Sequence, residues 1–150
     1  MDRALNYLSL ARKAGLAELG EEPVGAITRA GKGYLVVVAS DASDHTWRRA
    51  KSFVAGTEQQ CIRVSFTKDE LGFVVGRTSL AIAAITDAAM AASLVKALPD
   101  APKHAAALSV LEEKAAGTDI NLLRSGLRGY LGGFDTSITW ADALITDSVT

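Results

Sequence analysis

The chain of 150 residues has a single cysteine, Cys61, which excludes an intramolecular disulfide and a cysteine-built metal site. Its two histidines, His45 and His104, have no companion Cys, Asp or second His at metal-ligand spacing, so no metal is expected. No apolar run approaches the roughly 18 residues that a membrane span needs, so no membrane partner is expected. A secretory h-region is also missing, because Arg3, Arg12 and Lys13 interrupt an amphipathic pattern near the N-terminus. The expected compartment is therefore the cytoplasm. Net charge is scarce too, at −1. Residues 1–98 carry 12 Lys+Arg against 10 Asp+Glu, and residues 99–150 carry 4 against 7. A dedicated nucleic-acid binder usually shows a larger basic excess, so any such contact must rest on a local patch. No internal repeat is evident.

What is present is ample core material: 49% hydrophobic residues against 22% charged, a globular composition. The stretch LVVVASDASD, residues 35–44, organises the chain. Five consecutive apolar residues predict a strand buried on both faces. Ser40, Asp41, Ser43 and Asp44 then turn the chain and cap a helix over about residues 43–55. Upstream, residues 3–14 place Leu5, Leu8 and Ala11 at helical spacing. Arg12 and Lys13 lie at the end of that helix, as dipole partners, and Gly15 closes it. A brief strand at 16–19 leads to Gly20, and Glu21, Glu22 and Pro23 suit the first turn of a second helix. Downstream, Ile62, Val64 and Phe66 alternate with Arg63 and Ser65 as in a strand, with Cys61 as a small core residue. Thr67 and Glu70 have capping-box spacing before a helix over 67–75. A fully apolar strand at 80–85 and a helix to about Leu98 complete the series.

This order predicts a three-layer α/β/α sandwich with a small mixed central sheet. Residues 1–98 form the expected domain. Residues 99–150 form an acidic, Ala-rich extension, mostly helical, with helices expected near 103–116, 121–131 and 137–145 around Trp140. The motifs of catalysis are missing. Ser40, Asp41 and Ser43 have no histidine near them in pattern and read as caps. Gly31-Lys32-Gly33 precedes a strand, where a phosphate loop would follow one. No catalytic residue and no cofactor are expected, and the protein reads as a non-enzyme.

Five segments in one order, SLARKAGLAELGEE, a helix ending at Gly31, LVVVASDAS with HTWRRAKS, FTKDELGFVVGR and AIAAITD, give the chain a family resemblance. Over about residues 4–98 it resembles the kink-turn RNA-binding family of large-subunit ribosomal proteins, and within it the small bacterial ribosome-associated branch. The resemblance implies an α/β/α sandwich that grips sharply bent or internally looped RNA. Contact would come from the N-terminus of the second helix and from the loop before the last strand. A helix N-terminus offers free N–H groups and partial positive charge, and small loop residues allow approach to unstacked bases. Carried over, the RNA-binding residues are Gly20, Glu21 and Glu22 at the helix tip, and Arg77, Thr78, Ser79, Leu80 and Ala81 in the loop. Lys32 and Arg12 would be weaker backbone contacts, and Arg48, Arg49 and Lys51 add a basic cluster on the third helix. Family members commonly carry Asn or an acid, then Glu, then Lys one turn later, where this chain has Glu22, Pro23 and Ala26. Pro23 removes a backbone donor and Ala26 a cation. The partner implied is structured RNA of the ribosome. The extension adds the ribosome or a protein as a further partner. A family member that had shed RNA would instead serve as a protein-interaction module.

Overall fold

The computed structural model describes residues 2–117. Helix α1 (Arg3–Lys13) starts under an Asp2 cap, whose Oδ1 accepts from the Ala4 N–H at 2.8 Å. Strand β1 (Ala17–Leu19) runs into helix α2 (Glu21–Arg29), and strand β2 (Leu35–Val38) follows. The corner expected after β2 is present: Ser43 caps helix α3 (Asp44–Val54) through the Thr46 N–H. Strand β3 (Gln60–Arg63) precedes helix α4 (Lys68–Val74), which begins with the complete Thr67–Glu70 capping box. Strand β4 (Ile82–Ile85) and helix α5 (Ala88–Lys96), capped by Asp87, follow. A 3₁₀ turn (Ala101–His104) then leads into a helical stretch, residues 105–117.

Among the described residues, four strands form one mixed sheet in the order β1-β4-β2-β3. β2 pairs parallel with β3 and antiparallel with β4, which pairs antiparallel with β1 on its other side. Helices α1, α4 and α5 pack together on one face, and α2 packs on α3 on the other. This is the α/β/α sandwich predicted. The central strands β2 and β4 are buried along their whole length, as the uninterrupted apolar runs require. Each buried Val or Ile there contributes about 1.5–3 kcal/mol relative to an exposed one. At the end of β3 and just past it the alternation divides the faces. Val64 joins Leu8, Leu71 and Leu94, whereas Arg63 lies against Trp47 of α3, its guanidinium 5.1 Å from the ring centroid.

Two strands are shorter than the apolar runs suggest. The regular ladder of β4 begins at Ile82; the Ala81 carbonyl still accepts from the Ala39 N–H in the same register, whereas the Leu80 N–H turns away to the Lys68 carbonyl. The ladder of β3 ends at Arg63, after which the Val64 N–H still reaches the Val38 carbonyl at 2.9 Å.

The core does not stop at Leu98. Ala107 and Leu111 belong to the same buried cluster as α1 and α5, and the compact unit ends at Ala115. After Leu98 the chain enters the 3₁₀ turn, where His104 Nε2 lies 3.4 Å from Asp100 Oδ2. The following helix is tied down by Lys96–Glu112 at 3.0 Å and by a Lys114–Glu58 ion pair. That pairing lowers the Glu58 pKa and raises that of Lys114. The helices expected near 121–131 and 137–145 lie outside the described residues.

Candidate nucleic-acid interface

The antiparallel pairing of β1 with β4 decides what stands beside what. Leu19 pairs with Ala83, and the Gly20 N–H donates to the Ile82 carbonyl at 3.0 Å. The residue that opens α2 is thereby fixed next to the residues that lead into β4. Gly20 holds φ at +98°, a backbone conformation that side chains disfavour, and it offers no side-chain cap. The first N–H groups of a helix have no acceptor within the helix, and those of Glu21 and Glu22 are left uncapped, while Pro23 has none to offer.

Against this tip lies Arg77. Its Nη1 is 3.7 Å from the position a Cβ on Gly20 would take. The helix tip and the 76–81 loop, separated by more than fifty residues of sequence, form one surface.

The loop is held rigidly on α4. The Arg77 N–H donates to the Gly72 carbonyl at 2.8 Å, and the Leu80 N–H to the Lys68 carbonyl at 3.0 Å. Gly72 makes this seat possible. A Cβ there would stand 2.7 Å from the Ser79 amide nitrogen and 2.9 Å from the Arg77 carbonyl oxygen, closer than atoms pack. Leu80 plugs the loop into the core at 3% exposure, so its side chain anchors the loop and faces no ligand. Ala81 is half-buried. The exposed side chains are those of Arg77, Thr78 and Ser79.

The other sequence-expected residues divide. Glu22 is exposed at the tip. Glu21 is half-buried in an ion pair with Arg49 of α3. Lys32 is not with them. It follows the far end of α2, its N–H bound to the Ile27 carbonyl, and it precedes the end of β2 that pairs with Ile85. The loop site adjoins the opposite end of β4, a strand length of about 13 Å away. The helix expected from Glu21 to Gly31 already sets Lys32 at its far end from the tip. Arg12 and Lys13 lie exposed in the last turn of α1, as dipole partners do.

Helix α3 presents two cationic flanks. On one, Lys51 Nζ and the Arg63 guanidinium lie 5.2 and 5.1 Å from the Trp47 ring centroid, and Arg63 Nη2 donates to the Ala42 carbonyl at 2.9 Å. On the other, the Arg49 guanidinium stands 5.2 Å from the Phe53 ring centroid. Phe53 in turn packs against Gly25 of α2, where Arg29 also lies: its Nη1 is 3.3 Å from the position of a Cβ on Gly25. Cys61, beside Lys51, is partly buried, and burial pushes its thiol up to about 12 despite the nearby ammonium. Among the described residues no group of three His, Cys, Asp or Glu side chains could hold a metal ion, and no helix is long and apolar enough to cross a membrane.

No protein-family model matches the chain, and no curated protein does. Solved structures do resemble it. A protein of unknown function from Bacillus halodurans C is 25% identical with a TM-score of 0.60, over 64% of this chain and 96% of that one. The Giardia lamblia 15.5kD RNA binding protein is 17% identical with a TM-score of 0.57, over 70% of this chain and 87% of that one. At 17% identity the likeness is one of fold.

Proposed function

We propose that the protein binds structured RNA containing a sharp bend or internal loop, without catalysing a reaction on it. The observation that carries this is the Arg77 guanidinium lying against the uncapped N-terminus of α2. A planar cation, two free N–H groups and the small residues Thr78 and Ser79 converge there. Such an arrangement suits phosphates and splayed base edges rather than a small substrate. The fold shared with an RNA binding protein supports the same conclusion. In the finer version, the ligand is a kink-turn of ribosomal RNA and the protein works in the cytoplasm alongside translation. Gly20, Glu22 and residues 77–79 would face the RNA, Glu21 would serve the contact through the Arg49 it holds, Leu80 would hold the loop from beneath, and Lys32 has no part.

The test is a titration of the purified protein against a kink-turn RNA and against the same RNA with its sheared G·A pairs replaced. Both are run at near-physiological salt, which sets such affinities. Selective binding to the kinked RNA is expected, and weak, equal binding to both overturns the proposal. A second function, as a protein-interaction module, is favoured by one feature. Phe73 on α4 is 79% exposed in a shallow depression with Leu5 and Val74, rimmed by Asp2, Asp69 and Glu70. A lone exposed aromatic of this kind suits a protein contact better than a backbone phosphate.

A further inference from the structure

The cations that adjoin the α2 tip are not scattered. Arg77 stands over Gly20, Arg49 reaches Glu21 one position on, and Arg29 folds back over Gly25 beside Phe53. Glu21, Gly25 and Arg29 are spaced by four residues, so they form one stripe along α2, and that stripe is the seam with α3. Three guanidinium groups therefore line one track that starts at the candidate interface and runs along the helix as far as Gly25. Arg29, Arg49 and Arg77 are all exposed. Only Arg49 has a carboxylate partner among the described residues. Its position is held from both sides, by the Glu21 carboxylate and by the face of Phe53. A guanidinium fixed in this way loses little freedom on meeting a phosphate, and its planar fork suits two phosphate oxygens at once.

Resting on the RNA-binding function proposed above, we infer that the α2–α3 seam is a second contact for that RNA. The seam tracks the sugar–phosphate backbone of the stem leaving the bend, with Arg49 and Arg29 as its phosphate ligands. From Gly20 to Gly25, where the Arg29 guanidinium lies, the helix rises about 7.5 Å, so the track is short and meets only a step or so of backbone. Glu21 then belongs to the protein side of the contact. It positions Arg49, and the charge that meets RNA is the arginine's. The track gives the small local basic patch that a chain of net charge −1 requires.

The experiment measures affinity for the kink-turn RNA and for its G·A-replaced control across a salt series, for the full chain and for Arg29→Ala and Arg49→Ala. Each substitution is expected to weaken binding to both RNAs by a similar factor, about tenfold, and to reduce the slope of log K against log salt by about one, the signature of one lost phosphate contact. Arg29→Lys and Arg49→Lys should keep the slope of the unaltered protein. Because Arg49 also packs on Phe53, thermal midpoints are read in parallel, and Arg29→Ala, exposed and without a carboxylate partner, decides the matter if Arg49→Ala is unstable. Slopes and affinities unchanged in Arg29→Ala, while the unaltered protein still prefers the kinked RNA, overturn the seam contact alone. An unaltered protein that shows no preference for the kinked RNA overturns the RNA function, and the seam contact with it.

Discussion

At the scale of single residues, Gly72 carries more of the candidate site than any residue that would touch a ligand. Gly72→Ala forces a methyl group into the Ser79 amide, and the loop or α4 must yield. The expected cost is about 1–3 kcal/mol, as for other overpacked sites, seen as a lower denaturation midpoint together with weakened RNA binding. Arg77→Ala and Glu22→Ala should behave oppositely: both side chains are exposed, so affinity for a kinked RNA changes while the thermal midpoint stays nearly constant. Equal loss of binding and stability would mark them as fold residues. Cys61 gives a third readout. A thiol raised from 9.0 to about 12 has roughly a thousandfold less thiolate at pH 8, so labelling by a thiol reagent should be slow in the native protein and fast on unfolding. The linkage runs the same way. The folded state favours the neutral thiol, so this contribution is present in full below about pH 9 and is lost as pH rises toward 12.

At the scale of elements, what the sequence disclosed is local in character. The capping box at Thr67 and Glu70, the Ser43 cap, and the alternation of Ile62, Val64 and Phe66 with Arg63 and Ser65 depend on residues within a few positions of one another, and all are present. Thr67→Ala should cost about 1 kcal/mol by unfolding, since it removes the oxygen that accepts from the Glu70 N–H at 3.1 Å. The tip and the loop were named together only through family resemblance. Their meeting depends on β1–β4 pairing, which no spacing in the sequence encodes. For the same reason the sequence places Leu80 with the exposed loop that it holds from below. Arg29 carried no signal at all. Its place beside Phe53 follows from the packing of α2 on α3 through Gly25, a contact between segments some thirty residues apart.

At the scale of the molecule, the 105–117 helix is part of what keeps the sandwich whole. Leu111 is 1% exposed, so Leu111→Ala should destabilise by about 2–5 kcal/mol, measured by denaturant unfolding. Ending the chain at Leu98 removes Leu111 and Ala107 together and should destabilise at least as much. A Leu98-terminated chain that keeps the full midpoint would mean those contacts contribute nothing.

The sheet order has a further consequence, for how the chain assembles. Among the described residues β4 is the last strand synthesised, yet it lies between β1 and β2, hydrogen-bonded to both. Until Ile85 has emerged, the only strand pair of this sheet that can form is the parallel β2–β3, and β1 has no neighbour. About sixty residues separate β1 from its partner, a long closure that slows folding. On an active ribosome the first eighty residues must therefore wait, their apolar strands uncovered, for a keystone that arrives late.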